Sequence, residues 1–210
     1  MLGAMDGISI IESAPAGAIS AWLAARLAAA GGGALTIPGG STPFPILEAL
    51  IAAGSVDWRA FDVWPNDDRL VAEDHEASNT GRIRALLAPV GARIVALDEA
   101  LEPPHFTLTW LGMGGDGHIA SLFANTDPRA DDPRRIIRIT PDPLPAHAPF
   151  DRITLTIPAL VASDAIVFTL GGAADKRAVF EAARRGDNDL PIARLLAAAK
   201  ARGLPVTVFA

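Results

Sequence analysis

Ala34-Leu35-Thr36-Ile37-Pro38-Gly39-Gly40-Ser41-Thr42-Pro43, running on to Ala53, sets the pattern for the whole chain. Residues 34–37 read as a strand and residues 43 to about 53 as a helix, with only a glycine turn between them. Pro43 suits the first helical turn, where its missing N–H costs nothing, and Thr42 suits the N-cap. The same alternation of short apolar runs and alanine-rich helical segments recurs on both sides. Upstream, residues 8–11 form a strand and 16–30 a helix, stopped by Gly31-Gly32-Gly33, where left-handed backbone carries no Cβ strain. Downstream, strands are expected at 61–64, 92–97, 106–111, 135–139, 152–157, 165–170 and 205–209. Helices fall near 77–87 and at 175–185 and 192–201. This alternation predicts an α/β, Rossmann-like fold: a mostly parallel sheet flanked by helices on both faces, in a single domain over residues 1–210. The Pro- and Asp-rich piece 127–149, interrupted by one strand, is expected to be a small surface excursion.

Composition narrows the chemistry. The 210 residues are enough to bury a full core, and with 50% hydrophobic and 20% charged they exclude disorder as the main state. Cysteine is absent, which removes disulfides, thiolate nucleophiles, iron–sulfur ligation and Cys-based zinc sites. Tyrosine is absent too, so no phenol serves as acid or base. A formal charge of −6 argues against a nucleic-acid surface. The mean hydropathy of +0.29 is an alanine effect, since 41 alanines raise it while carrying little apolar area. No stretch reaches the ~20 apolar residues that cross a bilayer. Asp6, with no basic segment beside it, speaks against a secretory signal, so cytoplasm is the expected location.

Sheets of this kind bind ligands beyond the carboxyl ends of their strands. The loops after Ile37, Trp64 and Leu111 are therefore the informative ones. In the first, Gly39 and Gly40 let backbone N–H groups approach an anion, Ser41 and Thr42 add hydroxyl donors, and a helix N-terminus favours phosphate. The plainer reading is a capped turn. The turn lacks the Gly-Lys-Ser/Thr of a P-loop and the third glycine of a dinucleotide fingerprint. In the second, Asp67, Asp68 and Arg69 are suited to orienting substrate hydroxyls; the plainer reading is a solvated turn, with Ser78-Asn79 as a helix cap.

The third loop, Gly112-Met113-Gly114-Gly115-Asp116-Gly117-His118, is the most informative. Four glycines in six residues make room for something close to the backbone. His118 is expected to open a helix over 119–123, whose N-terminus disfavours imidazolium and keeps the ring neutral near pH 7. Asp116 stands two residues back. A neutral histidine in a glycine-made hollow is the general base that an attacking water needs. His75, His105 and His147 lie in Pro- or charge-rich contexts without such a frame. A fourth segment, Gly171-Gly172 followed by Lys176, puts one of only two lysines in a first helical turn, where it can meet phosphate as a point charge or stand as a surface lysine.

In this order the segments resemble the 6-phosphogluconolactonase family, within the wider glucosamine-6-phosphate isomerase/deaminase-like group, over residues 36–190. LTIPGGSTP is similar to the family's glycine-rich phosphate loop. WPNDDRLV with Ser78-Asn79 is similar to its W/F-x-DER-x-V…SN stretch. LGMGGDGHIASLF closely resembles its LGMGxDGHTASLF signature, and RITLT and Gly172…Lys176 match its later strands. The resemblance implies hydrolysis of 6-phospho-D-glucono-1,5-lactone to 6-phospho-D-gluconate in the pentose phosphate pathway. It implies no metal and no cofactor, a monomer or small homo-oligomer, and no nucleic-acid or membrane partner.

At matching positions, Gly39, Gly40, Ser41 and Thr42 would hold the phosphate, helped by Lys176. Arg69 would contact the substrate, with Asp67 and Asp68 shaping its position. His118 would be the general base, with Asp116 nearby, and Arg152 falls where the family also has arginine, in a substrate or a structural role. Backbone N–H groups around residues 114–117 would meet the developing oxyanion. The chain departs from the family with Asp68 for glutamate, Gly115 for proline and Ile119 for threonine. Asp-Gly-His-Ile-Ala is the deaminase branch's spelling, yet Ser121-Leu122-Phe123 stands where deaminases show Phe-Asn-Glu, and Arg69 interrupts their Asp-Glu-Tyr-type motif. The alternatives are a glucosamine-6-phosphate deaminase/isomerase and a non-catalytic sugar-phosphate sensor.

Overall fold

The computed structural model describes residues 7–146 and 148–210, so Asp6 and His147 lie outside the described residues. Seven strands form one all-parallel sheet: β1 (Ile8–Ile11), β2 (Gly33–Ile37), β3 (Phe61–Pro65), β5 (Arg93–Ile94), β6 (Leu108–Leu111), β9 (Ile166–Thr169) and β10 (Val206–Phe209). Their order is β1-β10-β9-β6-β2-β3-β5. The helices are α1 (Ala16–Ala30), α2 (Pro43–Ala52), α3 (Asn79–Leu87), α4 (Ile157–Leu160), α5 (Ala174–Arg185) and α6 (Pro191–Ala201). Among the described residues no helix is long and apolar enough to cross a membrane.

Strand side chains alternate between two cores, one on each face of the sheet. Leu35 and Ile37 of β2, Val63 of β3, Trp110 of β6 and Val167 of β9 pack with Leu23, Leu47 and Ile83 from α1, α2 and α3. Ala34, Trp64, Leu111, Phe168 and Val208 face the other way, toward Leu160, Phe180 and Leu195 from α4, α5 and α6. The expected layering, helices on both faces of a mostly parallel sheet, is the observed one.

A second sheet was not foreseen as a separate unit. Strand β4 (Asp67–Arg69), β8 (Arg152–Leu155) and β7 (Ile136–Ile139) pair antiparallel in the order β4-β8-β7. The segment expected as a polar loop after Trp64 is thus partly a strand, and the excursion 127–149 supplies β7, with Ile136 and Ile137 buried. The strand expected over 92–97 shortens to Arg93–Ile94. No helix forms over 119–123. Ala120 takes left-handed backbone (φ 49°) and Ile119 bridges Leu122 across a tight turn.

The sheet order places the crevice. From β2 the chain steps outward through β3 to β5, then returns to lay β6 on the opposite side of β2. The loops leaving β2 and β6 therefore diverge, which opens a crevice at their carboxyl ends. Asn66, fully buried just past β3, fastens its base. Its backbone N–H donates to Ile37 O at 3.1 Å, its Nδ2 donates to Trp110 O at 2.8 Å, and its carbonyl accepts from the Leu155 N–H of β8 at 2.9 Å. One residue ties the ends of β2, β6 and β8 together.

Candidate active site

A cleft of about 420 Å³ opens at that crevice. Gly39, Gly40, Ser41 and Thr42 after β2, Asp67 and Arg69 from β4, His118 after β6, Arg152 from β8 and Lys176 from α5 all line it. Asp68 and Asp116 do not; each stands behind a residue that does. Pro145, Ala146 and Ala148 of the excursion close one side, so this segment belongs to the cleft wall.

The turn after β2 is built for close approach. Gly40 has left-handed backbone (φ 85°). A Cβ on Gly39 would fall 2.3–2.4 Å from the side-chain amide of Asn79. Thr42 occupies the N-cap position of α2, but its backbone is already helical (φ −64°, ψ −42°) and its hydroxyl makes no cap hydrogen bond. Capping by Thr42 is therefore not what the structure shows. Among the described residues, neither the N–H groups of Gly39 to Thr42 nor the hydroxyls of Ser41 and Thr42 donate to any group. Four backbone donors and two hydroxyls at the mouth of a helix suit an anion.

Asp68 is spent on structure. Its Oδ1 accepts from the Asn79 N–H at 2.6 Å and the Arg69 N–H at 2.8 Å; its Oδ2 accepts from the Thr80 N–H at 2.9 Å and the Ser78 hydroxyl at 3.1 Å. A carboxylate capping α3 in this way fixes β4 against the helix N-terminus. Asn79, which the sequence suggested only as a cap, proves to line the cleft. Its Nδ2 donates to Asp67 O at 2.9 Å and its Oδ1 accepts from Arg69 Nη1 at 3.3 Å. Nothing local signals this role, because it depends on Gly39 meeting Asn79 across the fold.

Arg69 and Arg152 face each other in the β4–β8 register. Arg69 Nη1 also donates to Ala77 O at 2.8 Å, and Arg152 Nη2 donates to Ala148 O at 2.7 Å. Nε of Arg69 and both Nε and Nη1 of Arg152 are buried without a hydrogen-bond partner among the described residues. Burial, and then the neighbouring Arg69 charge, push the Arg152 guanidinium below its ordinary pKa. Both observations make this shelf receptive to an anion, which would supply acceptors and offset the paired positive charges.

Asp67 is buried and accepts from the Ser121 hydroxyl, which joins β4 to the loop after β6. Burial pushes its carboxyl above the ordinary carboxylate range, against the pull of Ser121, Arg69 and Arg152. An acid raised on folding favours the native state while protonated and costs stability as pH rises through its folded value. Asp67→Asn should therefore melt at a higher temperature than the wild type near pH 7. Its advantage should shrink as pH falls toward about 4, the ordinary carboxylate range. Thermal melts across that range check the sign; a gain that does not vary with pH would contradict it.

His118 has close neighbours in Gly114 and Phe123. A Cβ on Gly114 would lie 2.2 Å from its Cε1 and Nδ1, and the Phe123 ring packs on it at 4.7 Å between centroids. The ring is held by its neighbours and not by a helix dipole, since no helix follows. Its Nδ1 lies 2.6 Å from Asp116 Oδ1. The hydrogen bond from His118 draws the Asp116 carboxyl down to about 2. An ionised carboxylate can only accept, so Nδ1 carries the proton, and in that tautomer the base's lone pair lies on Nε2. Nε2 has no partner among the described residues.

Two of the expected oxyanion donors, the N–H groups of Gly114 and Gly117, are not free. Gly114 N–H donates to His118 O at 2.9 Å, Gly117 N–H to Gly114 O at 3.0 Å, and His118 N–H to Asp116 Oδ1 at 3.2 Å. Those donors are consumed in forming the turn that holds the ring. Among the described residues no three His, Asp or Glu side chains converge as metal ligands.

The sequence matches the model of the family described as glucosamine-6-phosphate isomerases/6-phosphogluconolactonase over residues 10–100 and 92–203. The 6-phosphogluconolactonase of Synechocystis sp. is 31% identical over 182 residues, 74% of this chain and 73% of that protein. A 6-phosphogluconolactonase structure from Shewanella baltica superposes with a TM-score of 0.77 at 25% identity, covering 96% of this chain and 97% of its own. One from Thermotoga maritima gives a TM-score of 0.77 at 22% identity with the same coverage. A match over most of the chain, and a cleft that gathers the segments carrying the likeness, place it: the chain belongs to the glucosamine-6-phosphate isomerase/6-phosphogluconolactonase family.

Proposed function

We propose that the chain hydrolyses 6-phospho-D-glucono-1,5-lactone to 6-phospho-D-gluconate, with His118 as general base. One observation carries this reading: a turn of free N–H groups and a histidine with a free Nε2 line the same cleft, on loops leaving adjacent strands. The phosphate is received by the Gly39–Thr42 turn and Lys176, which anchors the far end of the sugar. Water attacks C1 and gives its proton to Nε2; Asp116 stabilises the imidazolium that forms. The C1–ring oxygen bond then breaks, and the imidazolium returns the proton to the leaving hydroxyl. With the Gly114 and Gly117 N–H groups spent, the partly unpaired guanidinium groups of Arg69 and Arg152 are donors for the charge that develops on the C1 oxygen. A lactone is an activated ester, so no covalent nucleophile is needed.

Residues 121–123 weigh for the lactonase over the deaminase, since Ser121 is committed to Asp67 and no acid follows His118 in that loop. The test is turnover of freshly made phospholactone against its spontaneous hydrolysis, with ammonia release from glucosamine 6-phosphate as the control. Acceleration of the first without the second is expected; a rate equal to the spontaneous one overturns the proposal. Ser41→Ala with Thr42→Ala should raise KM for the phospholactone by about 10²-fold, the weight of two hydroxyl contacts to a charged group. It should leave unphosphorylated glucono-1,5-lactone nearly unaffected, and equal effects on both would remove the phosphate from this turn.

A further inference from the structure

Arg82 stands on α3, outside the cleft lining, yet it reaches the turn after β2. Its Nη1 donates to Gly40 O at 3.2 Å, and its guanidinium lies 3.8 Å over the Phe44 ring in the first turn of α2. Among the described residues no carboxylate pairs with it. The hydrogen bond settles an orientation. In a trans peptide the C=O and N–H point in opposite directions. A Gly40 carbonyl drawn toward Arg82 turns the Ser41 N–H away from Arg82, and Ser41 lines the cleft where Arg82 does not. Glycine at position 40 makes this choice necessary. Its backbone is left-handed (φ 85°), and nothing lies within 4 Å of where a Cβ would be, so neither strain nor packing at that residue locks the peptide. A flipped peptide would present a carbonyl oxygen to an anion and repel it.

We propose that Arg82 is a positioning residue, which holds the Gly40–Ser41 peptide with its N–H toward the cleft so that the turn can receive a phosphate group. The stacking on Phe44 fixes the guanidinium, and the guanidinium fixes the peptide. This rests on the phospholactonase reading above, and predicts an effect confined to the phosphate.

The experiment compares Arg82→Met, which keeps a stem over Phe44 and loses the donors, with Arg82→Gln, which regains a donor without the charge. Steady-state kinetics are measured with the phospholactone and with unphosphorylated glucono-1,5-lactone, and inorganic phosphate binding is measured by calorimetry. Arg82→Met should raise KM for the phospholactone and the Kd of inorganic phosphate together, by roughly 10-fold, the low end for one charge-assisted hydrogen bond lost. Its kcat, and its kcat/KM on the unphosphorylated lactone, should stay at wild-type values. Arg82→Gln should recover most of the loss. Equal losses on both lactones, Arg82→Gln no better than Arg82→Met, or unchanged phosphate binding in Arg82→Met would each overturn the proposal. A wild type that does not accelerate the phospholactone sinks the functional reading instead; calorimetry with phosphate then still decides for or against Arg82.

Discussion

His118→Ala should lower kcat on the phospholactone by roughly 10²- to 10⁴-fold, the usual weight of a positioned general base, and should leave 6-phosphogluconate bound. The separation follows from the architecture. The phosphate turn leaves β2, the guanidinium shelf belongs to β4 and β8, and Lys176 sits on α5, so none of these depends on the imidazole for its position. The ring contributes one lone pair, on Nε2, because Asp116 occupies the other nitrogen. Removing the ring removes the proton acceptor and little of the binding surface. Calorimetry with 6-phosphogluconate and single-turnover hydrolysis on the same preparation make the comparison. Wild-type turnover in the variant would exclude His118 as the base. Loss of binding in step with turnover would make the residue a substrate anchor.

Gly114→Ala should bring a loss of about 10²-fold without touching the histidine. The added methyl group would stand 2.2 Å from the ring and 2.6 Å from Asp116 Oδ1, inside any permitted contact. The imidazole must swing out of the cleft or part from Asp116. Either movement misaligns the base, and a misplacement of about 1 Å can cost roughly 10²-fold. Gly114 opens a surface turn whose backbone hydrogen bonds an alanine can still make, so the melting temperature should shift far less than the rate. A variant with wild-type kcat would show that the close approach to the ring does not matter; one that fails to fold would move the glycine's purpose to the turn itself. Gly112→Ala, whose Cβ would meet only Pro38 at 3.8 Å, is the control and should leave kcat within about twofold.

Much of the fold was legible because it is written in period. Each strand of the parallel sheet except β5 was anticipated to within two residues at each end, since apolar runs bounded by glycine or proline have few other uses in an alternating chain. Strand β4 escaped because Asp67, Asp68 and Arg69 carry no apolar signal; partners distant in sequence, on α3 and β8, satisfy and bury them. The helix after His118 failed for a related reason. Local propensity allowed it, but Ser121 is drawn down to Asp67 and Thr154, and the chain reaches them only by passing through left-handed backbone at Ala120. The cleft residues were visible as types at strand ends. What stayed hidden was which atoms were already committed: the N–H groups of Gly114 and Gly117 to their own turn, the oxygens of Asp68 to α3, and the amide of Asn79 to Arg69 and Asp67.

Asn66 bears on selectivity. A single buried amide and its backbone clamp the strand ends from which the phosphate turn and the histidine loop depart, so the span between grip and base is a main-chain dimension. Jaws set this way do not close on a smaller object. The expected consequence is a fixed gauge: a phospholactone shorter by one carbon, held by its phosphate in the same turn, should bring its carbonyl to rest short of the imidazole and turn over more slowly. Equal turnover of the two lactones would contradict it.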